Sequence, residues 1–480
     1  MEDRPVNYHI KNLFGQSVIY GLGDIGTKVI GLLLLPLHTS FLTIHEYSVY
    51  SLFILFYSFG LTFYMLGINS GFLRYYLDDE YEEKKVFNTA FLFLLIFTIL
   101  ISFIIILLSG WFSHMLFDDI NYKYILYCGV VILICESLST IALLVYRAQN
   151  DPSGFVSAVL IKMSVILLSN VVFLVEFKMG IKGAVLGNLC GSGALLLMSS
   201  PVIKKQIQPT FSLQVFKKMF RYGIPAVPAV VSITVLIMID QYLIKYFGFF
   251  DKVGIYAAGY KIGMALMLII TGFKLAWFPF IFQTSKQKDA GKIFSRVFTY
   301  FNIFLILFYL VICIYIPLVF KYIFQPEYYE SMYIIPIIGL GYIFYGCYEH
   351  FMVGAYLKDK TFYVALVFSV SAFANIGLNL ILIPRYSLYG AATATVLSYF
   401  ILMVLGYMFS QKFYRVKYNF FNTIKTAAAG LLVMAAYYYY GNHSVTVSLL
   451  LPPAYLGLLL VFRSFRKEDK ELLKIIVKMK

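Results

Sequence analysis

Charged side chains stand inside apolar runs long enough to cross a membrane, and they are the residues in this sequence best suited to chemistry. An ionisable group in hydrocarbon costs a few kcal/mol, so it normally faces a partner or a water-filled cavity. Lysines in such a cavity could bind an anion, and carboxylates could carry a proton or another ion. The residues are Asp24, Lys28, Glu136, Lys162, Asp240, Lys261, Lys274, Glu349 and His350.

Four of these charges lie in the first half of the chain. Asp24 and Lys28 are four residues apart and share one face of a helix, so they can pair. Either they form a structural ion pair, or Asp24 positions Lys28 as an anion ligand on a cavity wall. Glu136 has no charged neighbour at helical spacing, and Lys162 in the next run could be its partner. Glu136 is therefore either a proton carrier or a neutral carboxyl bonded to a backbone carbonyl.

The second half places two lysines in one run. Lys261 and Lys274 are separated by about 1300° of helical rotation, which leaves them roughly 140° apart around the axis. Both can face one cavity only if the helix bends, and Gly272 is a candidate bend; otherwise one of the two is interfacial. Asp240 comes late in its run, close to the predicted outer surface. There it is either a solvated helix end or a residue of ion coupling or gating.

No group of residues predicts a metal site, a disulfide framework or a bound cofactor. All five cysteines lie in apolar runs, and none belongs to a CxxC motif or a cluster with histidine. Glu349 and His350 could titrate near neutral pH, but adjacent residues point apart on a helix, so we expect no coupled pair. Coupling of transport to a proton or sodium gradient stays open. The cysteines are Cys128, Cys135, Cys190, Cys313 and Cys347.

The elements that must position these residues are membrane-spanning helices. The chain is 61% hydrophobic and only 13% charged, and a helical span needs about 20 mainly apolar residues. No alternating strand pattern of a membrane barrel is present. Fourteen runs qualify, at about 16–41, 47–73, 88–112, 124–147, 153–177, 181–203, 222–247, 254–283, 297–324, 333–356, 361–384, 388–411, 420–440 and 444–463. We therefore predict an all-α polytopic membrane protein.

The net charge of +15 could indicate nucleic acid, but its distribution excludes that function. Most of the 39 lysine and arginine residues fall in alternate connections between the runs. By the positive-inside rule these connections, and both termini, are cytoplasmic. The basic excess is thus a signal of topology and of contact with anionic lipids.

Two stretches repeat at nearly the same spacing. HEYSVYSL at 45–52 is echoed by DKVGIYAA at 251–258, which matches Tyr50 with Tyr256, and KGAVLGN at 182–188 is echoed by YGAATAT at 389–395, which matches Gly183 with Gly390. Repeats around a midplane site are typical of alternating-access transporters. The repeat predicts two six-helix lobes at 1–205 and 206–411, followed by 412–480 with two extra helices and a basic amphipathic cytoplasmic tail.

Three segments resemble the polysaccharide or oligosaccharide flippases of the multidrug/oligosaccharidyl-lipid/polysaccharide exporter superfamily. KNLFGQSVIYGLGDIGTKVIGLLLLPLHTSFLTIHEYSVYSL is similar to their N-terminal signature, and RYGIPAVPAVVSITVLIMIDQYLIKYFGFFDKVGIYAAGYKIG to that of their second half. YRAQNDPSGF is similar to their short loop between spans four and five. The resemblance covers about 1–411. It departs at Ser40, where relatives often have a basic residue, so any anion contact at that position is in doubt.

This resemblance implies two six-helix lobes in a V around a central cavity, lined largely by spans one, two, seven and eight. The implied substrate is an undecaprenyl-diphosphate-linked oligosaccharide, turned from the inner to the outer leaflet of the bacterial plasma membrane. Its diphosphate would need cations to cross. Implied partners are membrane lipids, a glycan polymerase and chain-length machinery. We assign the headgroup to Lys28, Arg74, Lys261 and Lys274, and ion coupling or gating to Asp24, Glu136, Lys162 and Asp240.

Related transporters and membrane-embedded enzymes are the alternatives to this function. A drug or cation antiporter of the same superfamily typically stops at twelve spans and favours an acidic lobe, whereas a lipid II flippase shares the fourteen spans. A polysaccharide polymerase or a lipid-linked glycosyltransferase would be an enzyme, usually with a large outer loop or an early acidic pair. The first outer loop offers only Glu46, and Asp118 with Asp119 is interpreted as a turn. We therefore expect no enzyme.

Overall fold

The computed structural model describes residues 23, 25–26, 28–440 and 445–462, and within these ranges the secondary structure is helical with no strand. Eleven of the described helices are long and apolar enough to cross a membrane. The predicted all-α polytopic membrane fold is confirmed, whereas the exact number of fourteen spans stays a prediction. Asp24 and the predicted tail helix, at 463–480, lie outside the described residues.

The first half packs around its second helix. Its helices are α1 (Lys28–Phe41), α2 (Ile44–Met65), α3 (Ile68–Tyr76), α4 (Glu83–Leu107), α5 (Ser109–Phe117), α6 (Lys123–Ala148), α7 (Pro152–Val171) and α8 (Ile181–Gln206). Thr43 and Glu46 form a capping box at the start of α2, and Asp151 caps α7. Both α6 and α8 pack on α2, and α7 packs on α8.

The second half is built in a similar way and carries two additional helices. Its helices are α9 (Leu213–Gly223), α10 (Val227–Tyr246), α11 (Phe250–Gly263), α12 (Leu266–Thr284), α13 (Ala290–Ile323), α14 (Ile334–Phe351), α15 (Val353–Leu357), α16 (Thr361–Phe413), α17 (Phe420–Tyr440) and α18 (Val445–Val461). Both α10 and α14 pack on α16. The last two helices pack on each other and on α13.

One backbone turn recurs in the two halves. Ser387, inside α16, has φ 49° and ψ −128°, and Gly180, just before α8, has φ 56° and ψ −141°. A Cβ on Gly390 would lie 2.3 Å from the carbonyl oxygen of Leu382, so the chain reverses at Ser387 and α16 comprises two antiparallel helices. The two turns are 207 residues apart, the spacing of the sequence repeat. Glycine adopts this conformation freely, whereas serine is strained in it.

The two halves meet at the predicted outer side, where the start of α2 packs against α11. The hydroxyl oxygen of Ser48 accepts a hydrogen bond from the backbone N–H of Gly254 at 2.8 Å. Nδ1 of His45 lies 3.0 Å from Oδ1 of Asp251. Each of these pairs joins positions 206 residues apart. The repeat spacing therefore links residues that touch each other, which places the contact on the axis that relates the halves.

Helix α9 attaches the second half to the first at the predicted cytoplasmic side. It packs on α3 so closely that a Cβ on Gly223 would lie 2.1 Å from the carbonyl oxygen of Gly67. A Cβ on Gly71 would likewise lie 2.3 Å from that of Met219. Only glycine allows backbones this close. The chain then continues through a short 3₁₀ segment, Ile224–Ala226, into α10.

The predicted eighth span is interrupted, but not at the position expected from the sequence. The break between α11 and α12 falls at Met264 and Ala265, where the backbone N–H groups of Ala265 and Met267 bond to carbonyls three residues earlier. Gly272, the expected bend site, lies inside α12. The tighter hydrogen bonding at the break changes the helical phase between Lys261 and Lys274.

Candidate substrate cavity and buried ion site

Lys28 joins the two halves near the middle of the structure. Its Nζ donates a hydrogen bond of 2.6 Å to the hydroxyl of Thr271, which lies on α12. Lys28 is only partly buried. The charge predicted to bind an anion therefore stands at the interface between α1 and α12, although the alternative pairing with Asp24 falls outside the described residues.

Lys274 lies one turn beyond Thr271 on the same face of α12. Its Nζ is 2.8 Å from Oε1 of Glu349, and that oxygen also accepts a hydrogen bond of 2.7 Å from the hydroxyl of Tyr345. The Lys274 side chain is 48% exposed, whereas that of Glu349 is 3% exposed. The sequence shows both charges, but it does not indicate that they contact each other, because they are 75 residues apart.

Lys261 is partly buried on α11, the helix that packs against α2 of the first half. Lys274 shares a face of α12 with Thr271, whose hydroxyl accepts the hydrogen bond from Lys28 of α1. The set of three lysines, Lys28, Lys261 and Lys274, therefore lies on helices that take part in the contacts between the halves.

Arg74 lies elsewhere in the structure. It is exposed near the end of α3, and its guanidinium carbon is 5.3 Å from the centre of the Tyr222 ring on α9. This cation–π contact belongs to the attachment between α3 and α9. Any role for Arg74 with the substrate would therefore act at the predicted cytoplasmic side.

Glu136 and Lys162 form an ion pair inside the first half. Nζ of Lys162 is 2.6 Å from Oε1 of Glu136, and the hydroxyl of Ser192 donates to the same oxygen at 2.7 Å. The side chains of Glu136 and Lys162 are 7% and 19% exposed. The pair connects α6, α7 and α8. Oε1 of Glu136 therefore contacts a cation and a hydroxyl, instead of the backbone carbonyl that one interpretation proposed.

Asp240 is not a solvated helix end, and that alternative is wrong. Its side chain has 0% exposure, because α10 turns it toward α16 instead of the surface. Oδ2 accepts hydrogen bonds from Tyr256 at 2.6 Å and Thr395 at 2.5 Å, and Oδ1 accepts one from Asn379 at 2.8 Å. Asn375 completes the cluster by accepting a bond from Asn379 at 3.1 Å.

This cluster holds a carboxylate among neutral groups. The four residues around Asp240 are two asparagines, a tyrosine and a threonine, none of which carries a charge that would balance it. The amide nitrogen of Asn375 and the amide oxygen of Asn379 are buried and have no hydrogen-bond partner. A buried carboxylate in such surroundings can take up a proton or a small cation. A sequence signal existed: Asn375 and Asn379 are four apart in an apolar run.

A related cluster in the first half contains no acid. Nε2 of His38 lies 2.9 Å from the amide oxygen of Asn170, and the amide of Asn188 donates to the hydroxyl of Tyr50 at 3.0 Å. The rings of His38 and Tyr50 are 4.6 Å apart. Tyr50 stands 206 residues before Tyr256, and Asn188 stands 207 before Thr395. Sequence reasoning missed His38, although a histidine in an apolar run was the available signal.

His350 and the cysteines serve no chemistry visible in the structure. Nε2 of His350 bonds to the carbonyl of Phe294 at 3.0 Å, and its ring stacks on Trp277 at 4.2 Å, while Glu349 turns to Lys274. The five cysteines are free thiols. No group of histidine, cysteine and acidic residues that could hold a metal ion occurs among the residues that the structure describes.

Comparison of the sequence with protein families gives one match. The model of a family described as "Polysaccharide biosynthesis protein" matches residues 15–285. That range includes helices α1 to α12. No curated protein sequence matches the chain.

Several solved structures share the fold. The lipid II flippase MurJ in an inward closed conformation has a TM-score of 0.73 at 16% identity, covering 92% of this chain and 99% of its own. A multidrug resistance MATE transporter in an inward-facing conformation has a TM-score of 0.65 at 11% identity, covering 80% and 94%. A MATE transporter of Vibrio cholerae has a TM-score of 0.59 at 14% identity, covering 85% and 97%. The proteins with these folds are transporters and a flippase.

Proposed function

Because this chain belongs to the polysaccharide biosynthesis protein family, within the multidrug/oligosaccharidyl-lipid/polysaccharide exporter superfamily, we propose that it is a lipid-linked glycan flippase. Its substrate is an undecaprenyl-diphosphate-linked oligosaccharide, such as a repeat unit of O-antigen, capsule or another surface glycan. The protein turns this lipid from the inner to the outer leaflet of the bacterial plasma membrane. Its termini are cytoplasmic, and a glycan polymerase with its chain-length machinery receives the product.

The set of three lysines between the halves carries this proposal. Lys28, Lys261 and Lys274 come from α1, α11 and α12, which are helices that take part in the contacts between the halves. A diphosphate in a region of low dielectric needs such cations, and ammonium groups are established phosphate ligands. Arg74 offers a first contact for the headgroup at the cytoplasmic side. The sugars would follow through the cavity while the lipid tail stays in the bilayer.

Transport proceeds by alternating access. The contact between α2 and α11 at the predicted outer side supports a state of the transporter that is closed on that side. The hydrogen bond between Lys28 and Thr271 crosses between the halves at the level of the lysines. A diphosphate headgroup that binds the ammonium group of Lys28 would break this hydrogen bond. Its loss would favour separation of the halves at the outer side.

Asp240 is our candidate for coupling to a proton or sodium gradient. Its carboxylate is fully buried among neutral groups, and two amide atoms beside it have no partner. Occupation by a proton or a sodium ion would balance its charge in hydrocarbon. We assign gating to Asp24, which could hold Lys28, and to Glu136 with Lys162, which connect three helices of the first half.

Lipid II is the alternative substrate, because the MurJ lipid II flippase shares the fold over 92% of this chain. The two substrates are distinguished by flipping assays in proteoliposomes that contain the full chain. We expect translocation of a lipid-linked surface-glycan repeat unit, and faster translocation of lipid II would overturn the choice.

The role of the lysines is tested by Lys28→Ala in a strain that depends on this chain for surface glycan. We expect export to be lost while the protein remains in the membrane. Lys28→Arg, which keeps the charge, should retain a large part of the activity. Normal export by Lys28→Ala would remove this residue from the headgroup site.

A further inference from the structure

One buried carboxylate of the second half stands directly behind an exposed lysine of α12. Glu349 is 3% exposed and lies 2.8 Å from Nζ of Lys274, whose side chain is 48% exposed. The buried pair of the first half differs, since both Glu136 and Lys162 are largely enclosed. Of these two pairs, the one at α12 therefore presents its cation to the surroundings while its anion is buried.

The cation of this pair lies on the face of α12 that contacts the first half. Lys274 shares a face of α12 with Thr271, and Thr271 accepts a hydrogen bond from Lys28 of the other half. A headgroup that reaches Lys28 would meet the ammonium of Lys274 one helical turn away.

Glu349 itself is fixed. Its Oε1 is held by the hydroxyl of Tyr345, one turn earlier on α14, as well as by Lys274. An ammonium has three N–H donors, so Lys274 can bond to Glu349 and to a phosphate oxygen at the same time. The carboxylate then remains close to the bound phosphate, and the two negative charges repel.

We propose that Glu349 sets the affinity of the lysines for the diphosphate: the charge of its carboxylate weakens the binding of the headgroup enough for its release. This inference rests on the proposed function. A translocation site must bind its cargo strongly enough to admit it and weakly enough to let it leave. Three lysines without a nearby acid would retain a diphosphate.

The test measures binding of undecaprenyl diphosphate, without sugar, to the full chain in nanodiscs, with undecaprenol as the phosphate-free control. We expect Glu349→Gln to bind it about five- to tenfold more tightly, the effect of one removed charge. Its translocation should show both a lower KM and a lower maximal rate. Glu330→Gln, which neutralises the acid of the Lys252–Glu330 pair at the predicted outer side, is the matched control and should leave binding unchanged.

A merely structural role predicts the opposite sign, because loss of Glu349 would release Lys274 from its position and weaken binding. Unchanged or weaker binding by a correctly folded Glu349→Gln therefore overturns the inference. If that variant does not fold, Lys274→Gln is compared with Lys274→Gln/Glu349→Gln. The single variant should bind more weakly, since it keeps the unbalanced carboxylate, and equal or reversed affinities also overturn the inference. Absence of binding to the unmodified chain would instead reject the proposed function.

Discussion

The two halves of this chain share a turn and a set of polar positions, but they hold different groups at the centre of those positions. In the second half Asp240 accepts hydrogen bonds from Tyr256, Thr395 and Asn379. In the first half the corresponding tyrosine, Tyr50, stands beside His38. A carboxylate attracts a proton or a cation through its negative charge. A histidine bonded to an amide has no negative charge and cannot take its place. The difference indicates that the scaffold was repeated and the buried acid was not.

The intramembrane ion pairs differ in the same way. Glu136 and Lys162 are enclosed within the first half, but Lys274 of the second half is exposed at the interface. Buried pairs contribute little net stability, although removal of one partner is costly. The first half therefore uses its pair to join helices, and the second uses its pair to present a cation.

The largest expected effect comes from locking the halves where they touch. His45→Cys/Asp251→Cys replaces the exposed pair at the outer side, and oxidation or a short bifunctional thiol reagent should join the two positions. Transport should fall close to zero, because α2 and α11 can no longer separate, and it should return when a disulfide formed by oxidation is reduced. Each single cysteine variant is the control. Full transport by the cross-linked chain would show that the outer side does not open here.

A second experiment asks whether only one half carries the ion site. Asp240→Asn should reduce gradient-driven flipping in proteoliposomes by about 10- to 100-fold. This loss corresponds to a coupling free energy of about 1–3 kcal/mol, the usual range. The reason is that an amide at this position neither takes up a proton nor balances a cation. His38→Gln is the comparison and should keep the dependence on the gradient. Loss of that dependence in His38→Gln alone would reverse the assignment of the two halves.

The enclosed pair of the first half should matter for stability more than for coupling. Glu136→Gln leaves the ammonium of Lys162 buried without an anion, which should lower stability by about 3 kcal/mol. Thermal denaturation in detergent, followed by size-exclusion chromatography, measures this loss. Gradient dependence of the remaining protein should persist. If it disappears while stability is unchanged, Glu136 is a proton carrier after all.

The smallest effect concerns the repeated turn. Ser387→Gly should stabilise the protein by about 1 kcal/mol, because glycine adopts the positive φ without strain. Gly180→Ser should have the opposite effect, since a Cβ there would also lie 2.4 Å from Oε1 of Glu46. Denaturation midpoints of the two variants provide the comparison. Equal shifts of both in one direction would show that the turns are not equivalent.

The sequence predicted the helical membrane fold and the charges in it, because apolar runs and isolated charges are visible without structure. It could not predict partners across long separations, such as Lys28 with Thr271, since helical spacing relates only residues a few positions apart. Asp240 was misplaced because its depth was counted along one helix, and its burial depends on α16. The bend was assigned to Gly272 from residue type, whereas the hydrogen bonds place it at Met264 and Ala265.

The contact on the axis has a consequence for how this architecture could arise. In a dimer of identical subunits, a residue on the twofold axis meets its own copy, so a histidine would face a histidine and an acid an acid. His45 with Asp251, and Ser48 with Gly254, are unlike residues at positions 206 apart. Complementary partners at such positions require two copies that differ in sequence. Divergence of the two halves after duplication is therefore the condition that allows unlike chemical groups to hold this contact.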